Sequence, residues 1–393
     1  MMEGWKKDKL TNLISQITTG KLDANAMIPN GKYRFYTCAK DYYYIDNYAF
    51  DDEALLISGN GEYVGYIHYY KGKFNAYQRV YVLTGFKIDV RYLENFLNRY
   101  LPSRINKEVS QNNIPYIRLS TLSKMEINYP ESPTEQASIA NILSKVDEAI
   151  ESVKKSIEAA EKLKKSLMQN LLTGRMKPDG TLRTEDEFYE DEKFGKVPIG
   201  WEVKKLGNLF HIKAGGDLQE NFYSPIYDEQ HKCPIFSNTI ENSGLYGYTS
   251  NPRFISKESL TIVGRGVGVG HVEYRKGNYD AIIRLISLIP KQEDAIDCMY
   301  VNYYICQYVH FAIESTGVPQ LTCPKVFSTK IIIPKNVFEQ SQIAEKIHCI
   351  DIDIKIKQNQ IITLERLKKS LMQNLLTGKV RVGEEEKYQN RRV

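Results

Sequence analysis

Twelve residues, LKKSLMQNLLTG, occur twice in this chain, from Leu163 to Gly174 and again from Leu367 to Gly378. An exact match of this length in a sequence of ordinary complexity indicates an internal duplication, with an offset of 204 residues. So long a period predicts two domain-sized units. It excludes the short stacked repeats of a solenoid protein.

The duplication continues upstream of the identical block. At the same offset Glu135-Gln136 aligns with Glu339-Gln340, and at an offset of 205 residues 54–76 align with residues 259–281. The positions shared in that stretch are Gly59, Gly61, Gly65, Tyr69, Lys71 and Gly72 in the first copy and Gly264, Gly266, Gly270, Tyr274, Lys276 and Gly277 in the second. Both halves of the chain therefore follow one plan.

Residues 132–173 carry the signals of one long helix. Ser132-Pro133-Thr134-Glu135 is a capping box with proline at the first helical position, and Gly174 occupies the C-cap. The apolar residues between them recur at spacings of four and three, as in the seam of a coiled coil. They are Ile139, Leu143, Val146, Ile150, Val153, Ile157 and Ala160, continued by Leu163, Leu167 and Leu171.

The second copy repeats this pattern. Asn336 takes the cap position with Glu339 three residues later, and Lys357 interrupts the seam once. The seam residues are Ile343, Ile347, Ile350, Ile354, Ile361, Leu364, Leu367, Leu371 and Leu375.

The segments before the helices have a different composition. Of 28 tyrosines, 16 fall in residues 1–130 and 10 in residues 201–334. Strand patterns at 54–58, 64–69 and 77–83, turns at 59–61 and 71–73, and a helix from Val90 to Tyr100 that ends before Pro102 predict a mixed lobe with a hairpin-built sheet.

A long helix with one apolar stripe needs a partner along its length, and its own copy is the simplest one. We therefore predict an α+β fold in which two lobes are joined by two helices forming an antiparallel coiled coil with pseudo-twofold symmetry. In the alternative, each helix packs only on its own lobe. The predicted segments are lobe 1 (1–130), helical spacer 1 (131–174), a charged linker (175–200), lobe 2 (201–334), helical spacer 2 (335–378) and a tail (379–393).

Composition limits the class of protein only weakly. The net charge of +5 is too small to establish nucleic-acid binding. No apolar run has membrane-spanning length, and the six cysteines form no CxxC pair, as expected for free thiols of a cytoplasmic protein. The histidines show no metal-ligand spacing, so neither a metal nor a cofactor is expected on this chain.

The helices and linker resemble a known family. A P-x-x-x-x-E-Q entry (130–136 and 334–340), an L-x-x-x-L-L-T-G exit, and a linker ending in G-K-V-P-x-G-W-E-V are similar to the specificity subunit of type I restriction-modification systems. The resemblance covers nearly the whole chain.

This resemblance implies a subunit that recognises DNA and catalyses nothing. Each lobe would be a target recognition domain for one half of a split, asymmetric double-stranded DNA site, with the helices setting the gap. Partners would be two adenine methyltransferase subunits, which use S-adenosylmethionine, and through them ATP- and Mg-dependent restriction subunits. A protein-binding scaffold and a stand-alone nuclease or methyltransferase are the alternatives.

Polar, basic and aromatic residues of the variable loops are the candidate DNA contacts. Asn60 and Arg265 occupy equivalent positions in the GxG turns, where glycine permits close approach to a duplex or simply forms a tight hairpin. Lys71 and Lys276 are candidate phosphate contacts, although solvated turn lysines are the ordinary alternative. The remaining candidates are Arg34, Tyr36 and Lys40 in lobe 1 and Lys213, Asn238 and Asn242 in lobe 2.

Two motifs suggest chemistry but lack its context. Asn251-Pro252-Arg253-Phe254 is similar to the N-P-P-[YF] motif of adenine methyltransferases, yet arginine replaces the second proline. Pro178-Asp179 with Asp191-x-Lys193 fits a nuclease pattern inside the charged linker, where no strand core would hold carboxylates around magnesium. We interpret both as chance matches.

Overall fold

The computed structural model describes residues 3–108, 116–311, 313 and 319–382. It divides into two compact units, Met1–Lys155 with Gln358–Val393, and Ser156–Lys357. The two longest helices, of 39 residues each, both begin in one unit and end in the other. Each unit therefore contains one lobe and a segment of both helices. The tail predicted from residue 379 lies outside the described residues from 383 onward.

Lobe 1 contains a six-stranded sheet in the order β2-β7-β5-β6-β3-β4, antiparallel except between β3 and β6. A separate pair, β1 with β8, joins the two ends of the lobe. The elements are β1 (Trp5–Lys9), α1 (Leu10–Leu13), β2 (Ile14–Thr19), β3 (Tyr33–Tyr36), β4 (Tyr43–Ile45), β5 (Phe50–Ser58), β6 (Ile67–Ala76), β7 (Val80–Phe86), α2 (Val90–Glu108), α3 (Leu119–Ser123) and β8 (Glu126–Pro130), followed by α4 (Pro133–Leu171).

Two sequence predictions for lobe 1 are wrong. The helix does not end before Pro102, because Leu101 and Ile105 are buried and this packing outweighs the hydrogen bond that proline removes. Residues 71–73 are not a turn but lie within β6, where Lys71 faces Glu53 and Lys73 faces Asp51 on β5. Opposite charges across the two strands favour the longer strand.

The linker is more ordered than its composition predicts. It contains a hairpin of β9 (Phe188–Asp191) and β10 (Gly195–Pro198). Val197 is fully buried beside Leu172 and Trp201 in the core of the second unit. The segment therefore packs as part of that unit.

Lobe 2 repeats the core of lobe 1. Its sheet order β12-β19-β16-β17 corresponds to β2-β7-β5-β6, and β11 pairs with β20 as β1 pairs with β8. The elements are β11 (Trp201–Lys205), α5 (Leu206–Leu209), β12 (Phe210–Ala214), β13 (Tyr223–Ser224), β14 (Cys233–Phe236), β15 (Leu245–Thr249), β16 (Glu258–Val263), β17 (Val272–Lys276), β18 (Asp280–Ala281), β19 (Leu285–Pro290), α6 (Cys298–Tyr308), α7 (Cys323–Ser328) and β20 (Lys330–Pro334), followed by α8 (Val337–Leu375). A second sheet, β13-β15-β14-β18, distinguishes this lobe.

Segments of both helices pack together within each unit. In the first unit the start of α4, at Ile139 and Leu143, shares a core with the end of α8, at Met372 and Leu375. The start of one helix meets the end of the other, so these segments are antiparallel, as predicted. The second unit repeats the arrangement, with Ile343, Ala344 and Ile347 of α8 sharing a core with Met168 and Leu171 of α4 and with Leu172 just after it. The alternative in which each helix packs only on its own lobe is wrong, whereas one continuous coiled coil stays a prediction.

The predicted seam fails at one position in each copy. Leu163 is 53% exposed and its counterpart Leu367 is 47% exposed. Near the helix end the buried face moves to Met168 and Leu172, because the helix there packs on the lobe as well as on the other helix.

The glutamine of each entry motif fastens its helix to its lobe. The Gln136 side chain donates to the Pro130 carbonyl at 2.7 Å and accepts from the Asp89 backbone N–H at 2.8 Å. Gln340 makes the equivalent bonds to Pro334, at 2.8 Å, and Asp297, at 2.9 Å. Since both glutamines are buried, the bonds satisfy groups that water cannot reach.

Candidate nucleic-acid interface

Three backbone segments meet at one end of the central strands in each lobe. In lobe 1 they are residues 59–61, 78–79 and 116–117. In lobe 2 the aligned segments are 264–266, 283–284 and 320–321. We refer to each set as the platform of its lobe.

Backbone hydrogen bonds hold each platform together. In lobe 1 the Gly59 N–H donates to the Arg79 carbonyl at 2.9 Å, and the Ile117 N–H donates to the Gly59 carbonyl at 2.7 Å. In lobe 2 the Leu321 N–H donates to the Gly264 carbonyl at 2.8 Å. These bonds order the backbone and leave the side chains of the platform available for a ligand.

The first glycine of each GxG turn is required by an internal contact. A Cβ added at Gly59 would lie 2.3 Å from the Arg79 carbonyl oxygen, and one at Gly264 would lie 2.4 Å from the Arg284 carbonyl oxygen. Both distances are shorter than real Cβ contacts. These two glycines therefore admit the carbonyl group of a neighbouring turn of the same lobe.

Each platform borders a cleft. The cleft of lobe 1 has a volume of about 300 Å³, and the cleft of lobe 2 has a volume of about 700 Å³. Polar and aromatic side chains line the smaller cleft, among them Arg79, Tyr81 and Tyr116. The larger one is lined by Arg265, Arg284 and Gln320 with several apolar residues.

Two of the candidate DNA-contacting residues of lobe 2, Asn238 and Arg265, lie next to each other. Arg265 lies on the platform, and the Asn238 side-chain amide donates to the Arg265 carbonyl at 2.9 Å. Asn242 is exposed in a left-handed turn with φ of 47°, a conformation that asparagine tolerates. Lys213 is exposed on β12, opposite Ser287. Asn238 therefore supports the turn that carries Arg265.

In lobe 1 one predicted contact is wrong. Tyr36 is only 1% exposed, so its ring belongs to the core and cannot reach a duplex. Its hydroxyl accepts from the Arg34 guanidinium at 3.4 Å, which raises the pKa of Arg34. Arg34 also stacks over Tyr42 and Tyr70, with its Cζ 4.2 and 4.6 Å from the ring centroids. Tyr36 thus holds Arg34 in place.

The loop that carries Lys40 lies beside the GxG turn of lobe 1. The Lys40 ammonium is 5.1 Å from the ring centroid of Tyr63, which follows Asn60 by three residues. His68 Nε2 lies 3.0 Å from the carbonyl oxygen of Ala39, and burial lowers the pKa of His68. Lys40 therefore lies beside the turn that follows Asn60.

Lys71 and Lys276 are at the other end of their hairpins. Lys71 faces Glu53 in the β5–β6 pairing, whereas the GxG turn follows Ser58. Lys276 faces Glu258, at the start of β16, whereas Gly264 follows the end of that strand. The two lysines are not part of the platforms.

Sequence reasoning missed two platform arginines, Arg79 and Arg284. Both are exposed and line the clefts. They also align with each other at the offset of 205 that relates the GxG turns. The alignment of residues 54–76 with residues 259–281 stops three positions before this arginine pair, so it did not include them.

The motifs that suggested catalysis have structural roles. Arg253 forms an ion pair with the buried Asp280, with 2.6 Å between Arg253 Nε and Asp280 Oδ1. Asp179 accepts from the Thr181 backbone and hydroxyl, and Asp191 accepts from two backbone N–H groups, including that of Lys193. These bonds lower the pKa of both aspartates. Across residues 3–108, 116–311, 313 and 319–382, no group of three or more His, Cys, Asp or Glu side chains is placed to hold a metal ion.

The chain belongs to the family of the type I restriction modification DNA specificity domain, whose sequence model matches residues 2–162 and again residues 198–366. The two matched segments are the two halves of the duplication, which confirms the resemblance.

Particular members of the family are similar to the chain to different degrees. The type I restriction enzyme EcoDI specificity subunit of Escherichia coli is 38% identical over 287 residues, which are 69% of this chain and 62% of that protein. The MjaIX specificity subunit of Methanocaldococcus jannaschii is 27% identical over 292 residues, 69% of this chain and 64% of that protein. The chain thus aligns with less than two thirds of either relative.

A solved structure has the same fold over nearly the full chain. The crystal structure of the type I restriction-modification system S subunit from M. genitalium superimposes with a TM-score of 0.65 at 18% identity, covering 94% of this chain and 96% of that one. The similarity supports the two-lobed α+β architecture. In the part of this chain that the structure describes, no helix has the length and apolar character needed to cross a membrane.

Proposed function

We propose that this chain is the DNA sequence-specificity subunit of a type I restriction-modification complex. The observation that carries the proposal is the pair of platforms, which share a backbone frame and differ in side chains. Asn60 corresponds to Arg265, and Tyr116 corresponds to Gln320. A common frame with exchanged side chains is what two readers of different DNA sequences require.

Each lobe would recognise one half of a bipartite, asymmetric site. Asparagine pairs well with adenine and arginine with guanine in the major groove, so Asn60 and Arg265 would favour different bases. Arg34, Lys40, Lys213, Asn238 and Asn242 are further proposed contacts, and Lys71 and Lys276 are proposed contacts outside the platforms.

The gap between the half-sites would be set by the two long helices. A helix of 39 residues is about 58 Å long at roughly 1.5 Å per residue. Because α4 and α8 both pass from one unit to the other, their length would limit how far apart the two readers can bind.

The chemistry would reside on partner subunits. Two adenine methyltransferase subunits would bring S-adenosylmethionine, and restriction subunits would bring ATP and Mg-dependent cleavage. This chain would itself be non-catalytic and would direct these partners to the DNA site.

Co-expression with the methyltransferase subunit of the same system, followed by mapping of methylated adenines, tests the proposal. We expect methylation at a split, asymmetric motif with one fixed gap. A complex that assembles but leaves DNA unmethylated and shows no salt-sensitive duplex binding would instead identify a protein-binding scaffold.

A further inference from the structure

The arginines of the two lobes fall into two groups by their contacts. Ten arginines lie in residues 1–130 and 201–334, and all ten are among the described residues. Seven of them contact a carboxylate, a hydrogen-bond acceptor, an aromatic ring or another charged group: Arg34, Arg91, Arg99, Arg104, Arg118, Arg253 and Arg275. Each of these seven arginines already has a partner within the chain.

The remaining three arginines all lie on the platforms. Within the described part of the chain, the guanidinium groups of Arg79, Arg265 and Arg284 have no ion-pair, hydrogen-bond or ring partner. A guanidinium presents five donors in a planar fork that suits phosphate oxygens. Its unpaired state at the rim of a cleft leaves that fork available for an anionic ligand.

Apart from the glycines of the GxG turns, Arg79 and Arg284 are the platform residues that are identical between the lobes. Their neighbours on the platforms are exchanged: Gln78 corresponds to Ile283, and Asn60 to Arg265. Contacts to the phosphate backbone carry no sequence information, whereas contacts to base edges do. A side chain that is the same in both lobes, while the other non-glycine platform residues differ, therefore fits a phosphate contact.

The backbone fixes where this arginine stands in both lobes. The Arg79 carbonyl is bonded to Gly59, and the Arg284 carbonyl lies so close to Gly264 that only glycine fits. Each arginine is thereby fixed beside the turn that carries its lobe's variable residue, Asn60 or Arg265. In both lobes the backbone of this arginine therefore lies against the first glycine of the GxG turn.

We propose that Arg79 and Arg284 are the equivalent phosphate anchors of the two lobes, which set the position of each platform on duplex DNA before bases are recognised. This inference rests on the proposed function, because the ligand is the DNA duplex. It assigns no base to either arginine and leaves sequence discrimination to the exchanged residues.

The test uses the full chain assembled with its methyltransferase subunit. Binding to a duplex carrying the mapped site and to an unrelated duplex is measured for Arg79→Ala, Arg284→Ala and Arg284→Lys. The salt concentration is varied from roughly 50 to 200 mM, a range over which affinity due to phosphate contacts falls steeply. We expect each alanine variant to lose about tenfold in affinity for both duplexes, with a salt slope smaller by about 1. Arg284→Lys should recover most of the affinity, since lysine still binds phosphate.

Lys257→Ala is the matched control. Lys257 is 80% exposed and lies just before the start of β16, whereas Gly264 of the platform follows the end of that strand. The variant therefore removes one positive charge at a position away from the platform. Its affinity and salt slope should equal those of the wild type. Thermal unfolding of all variants should match the wild type, because none of these side chains is needed for packing.

The possible failures can be told apart. If the wild-type complex binds the duplex but Arg79→Ala and Arg284→Ala bind equally well, the anchors are wrong and the proposed function stands. If Arg284→Ala changes the methylated motif at one base with an unchanged salt slope, the residue reads a base and the phosphate role is wrong. If the wild-type complex fails to bind any duplex, the proposed function falls and this inference falls with it.

Discussion

Arg381 Nε lies 2.7 Å from Glu135 Oε1, which joins the segment after α8 to the first turn of α4 within the first unit. The Glu135 side chain is only 6% exposed, so its charge needs a partner. In the second unit the aligned Glu339 is paired with Arg183 at 2.5 Å and also accepts from Trp201 Nε1 at 3.1 Å. Arg183 and Arg381 follow the LLTG motif at different distances, so they are not aligned in the repeat. The two equivalent ion pairs are therefore formed by residues that the duplication does not relate.

The first prediction is that Arg381→Ala destabilises the first unit. Loss of the arginine leaves a largely buried carboxylate without its main partner, which should cost about 2 kcal/mol in the free energy of unfolding. Urea unfolding followed by hydrogen exchange in residues 133–143 measures this loss. Lys379→Ala, an exposed neighbour, should unfold like the wild type, and an unchanged Arg381→Ala would show that the pair contributes nothing.

The second prediction concerns the entry-motif glutamines. Gln340→Leu leaves the Pro334 carbonyl and the Asp297 N–H without their partner, so we expect a loss of roughly 2–4 kcal/mol in the free energy of unfolding. Gln340→Glu keeps the acceptor but places a buried carboxylate against the Pro334 carbonyl, so it should be destabilised as well. Gln373→Ala on an exposed face of α8 is the control. Equal unfolding of all three variants would contradict a role for Gln340 in fastening α8 to lobe 2.

A third prediction follows from the strained turn of lobe 2. Ile283 and Arg284 have φ values of 52° and 58°, a region that β-branched residues rarely occupy. Ile283→Gly should relieve this strain and raise the free energy of unfolding by about 1 kcal/mol. Ile283→Val keeps both the strain and the branched side chain and should unfold like the wild type. A glycine variant less stable than the valine variant would mean that the turn is not strained.

The fourth prediction concerns pH. Burial holds the pKa of His68 below its usual value, so the unfolded chain binds a proton at higher pH than the folded one. The stabilising contribution of the neutral ring is complete above the unfolded pKa of about 6.5 and is lost as the pH falls through the folded pKa. The free energy of unfolding of the wild type should therefore fall more steeply below about pH 6.5 than that of His68→Gln. Parallel pH profiles would contradict this account.

The fifth prediction concerns the helices as a spacer. Inserting seven residues after both Val153 and Lys357, which are aligned positions of the two helices, should lengthen each helix by about 10 Å. The gap between the half-sites should grow by about three base pairs, and each half-site should stay the same. Methylation mapping gives the result, and changed half-sites with an unchanged gap would refute the spacer.

Local patterns predicted the helices well and the lobes less well. The spacing of Ile139, Leu143 and Ile150 predicted a buried face of α4, and all three are buried. The prediction that the helix ends before Pro102 is wrong because it considered only the local effect of proline on the backbone. Burial of Leu101 stabilises the continued helix. The prediction that Tyr36 contacts DNA is wrong for a similar reason. Its neighbours in sequence resemble a polar loop, but its side chain packs in the core of the lobe.

The GxG turns of the candidate site, with Asn60 and Arg265, were predicted from the sequence, whereas Arg79 and Arg284 were not. Asn60 and Arg265 followed from the GxG alignment, which a repeat reveals directly. Arg79 and Arg284 matter because their carbonyls lie against Gly59 and Gly264, contacts between residues some 20 positions apart. No periodicity in the chain encodes such a contact.

The sequence by itself determined that this protein is a duplication, that each half is a mixed lobe followed by a long helix, and to which family it belongs, because periodicity and repeated motifs are local properties of the chain. Only the tertiary structure decided which carboxylate meets Arg381, which tyrosine is buried, and which arginines stay unpaired on the platforms. Those outcomes depend on contacts between distant segments, whose energies are settled when the strands and helices pack together.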